Sequence, residues 1–287
     1  MHKSFLFSIV LIAGLHGGLA EENRMFEIKN VSKSYNKGGV KAVDSLSLTV
    51  NNGEIFGFLG PNGAGKTTSI KMLTGILQPD EGSLELDGIS ITERPVAAKR
   101  QFAFVPDNPE TVSRLKAIEY LNFIGDVYKV PADVRKERIE KYCTKFGLKE
   151  VLNNKISSFS HGMKQKLFLI ASLITDPQNW ILDEPMVGLD PEAAFIVKEF
   201  MRERASQGKT VFFSTHVMEV AEKLCDRIGI IKSGKLIFQG TMNELKEQHG
   251  KAGQSLEDIF LEMIGSNAKA AATAESGEAA EPSEGSN

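Results

Sequence analysis

The chain has 287 residues, 41% hydrophobic and 25% charged, an ordinary globular balance with enough apolar material for a sizeable core. Its net charge of -3 and pI near 6.0 exclude the basic footprint of a nucleic-acid binder. The two cysteines, Cys143 and Cys225, stand far apart and outside any metal-type spacing, so they read as free thiols of a reducing compartment, with a single bridge as the alternative.

Residues 1–20 (MHKSFLFSIVLIAGLHGGLA) open with a polar head carrying Lys3, continue as an apolar run and close on the small residues Gly18 and Ala20. That is the layout of a secretory signal peptide, and the run is short for a spanning helix. No later stretch is apolar for long enough to span a membrane, so any spanning parts belong to other chains. A folded-domain pattern begins at Met25. Residues 26–31 (FEIKNV) and 46–50 (LSLTV) alternate apolar with polar, as half-buried strands do. A turn at Asn51-Asn52-Gly53 leads into 54–59 (EIFGFL), a short run suited to a buried strand. The stretch GPNGAGKTT follows at 60–68, then a helix over 69–77 with Ile70, Leu73 and Leu77 on one face, ended by QPDEG at 78–82. The middle, about 110–176, reads as helical, with breaks at Val130-Pro131 and Phe146-Gly147. Strands are predicted again at 180–182, 210–214 and 227–232, with helices between them. Alternating β and α elements argue for a parallel sheet with helices on both faces. Residues 265–287 are Ala, Gly, Ser and Glu with almost nothing to bury, and read as a disordered acidic tail.

The first chemical signal is Gly60, Pro61, Asn62, Gly63, Ala64, Gly65, Lys66 and Thr67, which match G-x-x-x-x-G-K-[ST] between a strand and a helix. Glycines let the backbone wrap close to phosphates and aim its N–H groups inward. The following helix presents its positive end. Lys66 offsets β- and γ-phosphate charge, Thr67 offers its hydroxyl to Mg²⁺, and Thr68 completes the loop. The second signal is the apolar run Trp180-Ile181-Leu182 ending in Asp183 and Glu184. Carboxylates at the C-terminal end of a buried strand suit a Walker B element, with Asp183 toward Mg²⁺ and Glu184 polarising the attacking water.

At this point the chain resembles the ABC ATPase family, from about Met25 to Ile264. Residues 159–165 (FSHGMKQ) resemble the family's signature, just ahead of the Walker B strand. Residues 187–191 (VGLDP) resemble the D-loop, and Ser214-Thr215-His216 resembles the switch histidine. Tyr35 resembles the aromatic that stacks on adenine. Residues 255–260 (SLEDIF) look like the end of export-type members. The resemblance implies a P-loop NTPase parallel-sheet core with a small antiparallel β subdomain and a helical insertion. The sequence departs from the family in two places. The usual leucine–serine–glycine–glycine–glutamine run is Phe159, Ser160, His161, Gly162 and Met163, and the Q-loop position after residues 102–106 holds Asp107. An acid still ligates Mg²⁺ but donates no hydrogen bond while ionised.

By resemblance, the chain binds and hydrolyses ATP with Mg²⁺ as one of two facing nucleotide-binding subunits. Lys66 and Thr67 of one subunit face Ser160 and Gly162 of its partner. Transmembrane permease subunits complete the transporter, which works from the cytoplasmic side of the membrane in the direction of export. His216 contacts the γ-phosphate, and Asp107 joins Thr67 and Asp183 as a candidate Mg²⁺ ligand. The competing reading is a soluble ABC ATPase acting on nucleic acid or ribosomes. Such members carry a coiled-coil insertion or two cassettes, and here there is one P-loop and no heptad run. A third is a regulator without turnover, against which Glu184 and His216 argue. Residues 1–24 conflict with the rest, because a signal peptide leads away from the cytosolic ATP supply. The working protein is expected to start at or near Met25, with an uncleaved anchor as the rival.

Overall fold

In the computed structural model, residues 24–35, 39–107, 114–251 and 253–275 are described. The segment 1–23, which holds the signal-like run, lies outside them. The chain enters as two long strands, β1 (Arg24–Ser34) and β2 (Lys41–Asn51), paired antiparallel, and Gly53 turns it into β3 (Ile55–Leu59). The P-loop leads to α1 (Lys66–Leu73). The strands β4 (Glu81–Leu86) and β5 (Ile89–Ser90) then return to the first pair, completing an antiparallel sheet in the order β2-β1-β4-β5. After α2 (Pro95–Lys99) and β6 (Phe102–Val105) come the insertion helices α3 (Ala117–Val127), α4 (Ala132–Lys145) and α5 (His161–Ile174). The core resumes with β7 (Asn179–Leu182), α6 (Pro191–Ser206), β8 (Thr210–Thr215), α7 (Met218–Leu224) and β9 (Arg227–Lys232). It closes with β10 (Lys235–Gly240), α8 (Met242–His249) and α9 (Leu256–Glu275).

The main sheet runs β10-β9-β3-β8-β7-β6, parallel except for β10. Its central strands are apolar on both faces, as a sheet covered on both sides requires. Along β8 the side chains alternate between two cores. Phe212 meets Phe26, Phe56 and Phe58 of the antiparallel side at ring separations of 5.8, 5.8 and 5.7 Å. Val211 and Phe213 join the opposite core with Trp180, Leu182 and the helices α3 to α6. The architecture is therefore the ABC ATPase fold expected: a parallel P-loop core, a small antiparallel sheet and a helical insertion.

Several elements differ from the sequence reading. Helix α1 starts at Lys66 rather than Ser69 and ends at Leu73, because Thr74 closes it and Gly75 (φ +63°) reverses the chain. The strands β4, β5 and β10 carry no long alternation and were not predicted. Both expected breaks hold: Lys129 takes φ +57° between α3 and α4, and Gly147 takes φ +69° after α4. Helix α9 continues past Gly265, where the acidic tail was expected to begin, to Glu275. The alanine-rich stretch that follows Gly265 has the strongest intrinsic helix propensity, so low hydrophobicity there does not mean no helix. Residues 276–287 lie outside the described ones.

Asn179, unusually polar for its strand, is fully buried and donates to Asp87 Oδ2 at 2.8 Å and to the Gln101 carbonyl at 3.2 Å. Both thiols are free. Burial pushes Cys143 up to about 12 and raises Cys225 further still. The sulfur of Cys225 fills the space beside Gly57, where an added Cβ would lie 2.6 Å from it.

Candidate nucleotide site

Strand register assembles the site. β3 pairs with β8 so that Leu59 faces Thr215, and β7 pairs with β8 so that Leu182 faces Phe213. One step beyond those pairs, Gly60, Asp183 and Ser214–His216 line a single edge of the sheet. This is the carboxyl end of parallel strands, where open α/β sheets bind ligands.

The P-loop is shaped for an anion. Gly65 holds φ +108°, and a Cβ there would lie 2.5 Å from the Ala42 carbonyl, so only glycine fits. Helix α1 starts directly after it with no side-chain cap and no acidic residue in its first turn, which leaves its positive end to a ligand. Lys66 is 6% exposed. Its Nζ donates to the carbonyls of Gly60 at 2.6 Å and Pro61 at 3.3 Å, and faces Glu184 Oε1 at 3.2 Å.

Asp183 is buried at the tip of β7 and its amide donates to the Val105 carbonyl. Burial raises its carboxyl above the ordinary range. Bonds from Ser214 and Thr67 pull it back, and the negative charges of Asp107 and Glu184 push it up. Ser214 Oγ donates to Asp183 Oδ1 at 2.6 Å and accepts from the Glu184 amide at 2.9 Å, so a single hydroxyl fixes both acids. Glu184 takes φ +46°, a conformation that costs a non-glycine residue about 1–3 kcal/mol and clusters at functional sites. Its Oε2 lies 3.1 Å from His216 Nδ1. Against an ionised carboxylate, which only accepts, Nδ1 would be the donor, and the imidazole is about half exposed.

Tyr35 is exposed, with its hydroxyl 3.1 Å from Thr68 Oγ1 at the rim of the P-loop. Asp107 is exposed just past β6, near enough to act on Asp183 by charge. Among the described residues no group of three or more His, Cys, Asp or Glu side chains forms a metal cage. Mg²⁺ in phosphoryl-transfer sites needs none. It keeps several waters and takes one or two protein oxygens plus phosphates, which the hydrogen-bonded pair Thr67–Asp183 fits.

Ser160 and Gly162 are not part of this cluster. Ser160 caps α5 by accepting from the Met163 amide at 3.3 Å, and no hydrogen bond or ion pair among the described residues joins either residue to the P-loop. Instead the start of α5 packs on the loop after β7. Ser214 is the residue whose part the sequence reading missed. It belongs to the Ser-Thr-His run at 214–216, but only the β7–β8 register shows that it bridges the two acids.

A family model described as "ABC transporter" matches residues 43–187. The ABC-type transporter ATP-binding protein EcsA of Bacillus subtilis is 32% identical over 83% of this chain and 96% of its own length. The Nod factor export ATP-binding protein I of Ralstonia nicotianae is 36% identical over 77% of this chain and 68% of its own. A solved structure of an ATP-binding subunit of an ABC transporter superposes with a TM-score of 0.78 at 30% identity, covering 83% of this chain and 99% of that one.

Proposed function

The chain belongs to the ABC transporter family as an ATP-binding, ATP-hydrolysing subunit that takes ATP with Mg²⁺, and on that premise we propose that it powers export through separate transmembrane subunits. It works from the cytoplasmic side of the membrane, as one of two facing nucleotide-binding chains. The observation that carries this reading is the convergence of Lys66, Asp183, Glu184 and His216 on one sheet edge.

Residues 60–68 wrap the phosphates, and Tyr35 offers its exposed ring to the adenine. Thr67 and Asp183 would hold Mg²⁺, which when bound would supply positive charge to offset that of the phosphates. Lys66 exchanges Glu184 for phosphate oxygens, and the freed carboxylate polarises the attacking water. His216 steadies Glu184 through Nδ1 and reaches the γ-phosphate through Nε2. Ser160 and Gly162, apart from this cluster, are free to meet the nucleotide held by a partner chain. Asp107 stands where the metal site passes into the insertion.

The transmembrane subunits dock on α3, whose Phe123 and Val127 are 56% and 58% exposed. Among the described residues no helix is long and apolar enough to cross a membrane. Export is favoured by the activity named for the Ralstonia relative. The test is to isolate the tagged full chain from its native membranes, identify the co-purifying membrane protein and measure MgATP hydrolysis with and without it. Inside-out vesicles carrying the complex should accumulate cargo when MgATP is added outside. Depletion of a preloaded lumen would reverse the direction. Recovery with ribosomes or nucleic acid would overturn the transporter assignment.

A further inference from the structure

We propose that His161 is a positioning residue that locks the loop carrying Glu184 against the start of the signature helix within one subunit. The inference rests on the reading of Glu184 as the water-activating carboxylate.

The loop from Asp183 to Asp190 meets α5 at three points. Gly188 holds φ +77°, and a Cβ built there would lie 2.4 Å from His161 Cδ2 and 2.9 Å from Nε2. The imidazole therefore occupies the space that Gly188 leaves by having no side chain. Reciprocally, a Cβ at Gly162 would lie 2.6 Å from the Gly188 carbonyl oxygen, so the loop backbone fills the space left by Gly162. One turn further along α5, Lys166 Nζ donates to Asp190 Oδ2 at 2.6 Å, and Asp190 in turn caps α6 through the Ala193 amide at 2.8 Å. Gly162 and Lys166, four residues apart, share one face of α5, and His161 stands at its first position, so the three contacts fix the N-terminal turn of the helix to the loop.

Between these contacts and the chemistry the loop is short and internally bonded. The Val187 amide donates to the Glu184 carbonyl at 3.1 Å and the Leu189 amide to the Met186 carbonyl at 3.3 Å. A shift of α5 at its N-terminus is thus carried into the backbone of Glu184, whose amide sits on Ser214. A glycine at position 161, which the signature pattern would supply, leaves the slot at Gly188 empty and this transmission slack. Close-packed contacts pass displacement on, and a void does not. Filling the slot with a ring is what this sequence adds at 161.

The test uses the full-length chain with MgATP. His161→Gly is expected to leave nucleotide affinity within about twofold, since no P-loop contact changes, and to lower kcat about tenfold with KM nearly constant, as misplacement of a catalytic group does. His161→Phe, which restores a ring to the slot, recovers most of that loss. Gly188→Ala collides with the ring and lowers kcat further. The double variant Gly188→Ala, His161→Gly is about tenfold faster than Gly188→Ala alone, because the added methyl now has room. Hydrogen exchange of the amides at 186–189 in the nucleotide-free chain gives a readout independent of turnover, and His161→Gly is expected to speed it about tenfold. Additive effects at 161 and 188, or unchanged exchange in His161→Gly, would overturn the lock. If Glu184→Gln turns over MgATP like the wild type, the functional reading of Glu184 falls, and the exchange experiment still decides the lock.

Discussion

Glu184→Gln separates two jobs held by one carboxylate. Its Oε1 faces the Lys66 ammonium at 3.2 Å, with the two side chains only 16% and 6% exposed. At an effective dielectric near 20, a pair at that separation attracts by about 5 kcal/mol. Desolvation cancels most of it, and glutamine keeps the shape and an acceptor oxygen, so the net loss on substitution is about 1–2 kcal/mol. For a chain of this size that lowers Tm by about 2–8 °C. Phosphate oxygens give Lys66 the same counter-charge, so saturating MgATP closes the gap between variant and wild type. Turnover behaves differently, falling about 10²–10⁴-fold because glutamine cannot take a proton. Calorimetry with and without MgATP, run beside a phosphate-release assay, reads both effects. A nucleotide-free Tm equal to wild type would refute the ion-pair argument. Wild-type hydrolysis would show that Glu184 is not the base.

Lys66→Ala removes the buried cation of the P-loop and is expected to abolish ATP binding in a fluorescent-nucleotide titration; near-normal affinity would refute the loop's assignment. Burial holds the Asp183 carboxyl above its ordinary value of 3.8, so the folded chain binds that proton more tightly than the unfolded chain. The nucleotide-free protein therefore loses stability as pH rises through that window, and the gain from MgATP fades as pH falls through it. Comparing Tm against pH for wild type and Asp183→Asn isolates this term, and parallel curves would contradict it. Gln165 is 1% exposed with both carboxamide atoms lacking a hydrogen-bond partner among the described residues, so Gln165→Leu is expected to stabilise by about 1 kcal/mol, a Tm rise of about 2–4 °C. A lower Tm would mean that the amide is satisfied in solution. Asp107→Gln should retain more ATPase activity than Asp107→Ala, because it keeps an oxygen acceptor; equal rates would reduce the position to a plain loop.

The shape of the phosphate loop was largely legible in the sequence because it is local, though the bounds of the helix after it were not. The turn, the approach and the charge all come from consecutive residues 60–68, and the flanking strand and helix follow from periodicity. The carboxylate pair was legible as composition but not as geometry. That Ser214 holds Asp183 and Glu184 together depends on which strand neighbours β7, and a period-2 pattern carries no information about sheet order. The antiparallel sheet was half legible. β1 and β2 alternate clearly, but β4 has Glu81 and Gly82 at its start and returns to β1 across a long separation in sequence, so its pairing decides it rather than its propensity. The fit of His161 to Gly188 was invisible for the same reason. A missing side chain becomes a slot only when another element arrives to use it.

The two thiols, buried Cys143 and partly buried Cys225, have a practical consequence. Desolvation raises both thiols above their ordinary range and so favours the protonated form, and the thiolate is the species that reacts with maleimides and disulfides. The native chain is thus close to silent toward thiol-directed dyes without any cysteine being removed, and Cys225 can stay in its place against Gly57. A single cysteine introduced on the open surface, at the exposed Val96 for example, would take up label almost alone. Mixing donor- and acceptor-labelled chains would then give an optical ruler for whether two copies of this chain approach one another when MgATP is added.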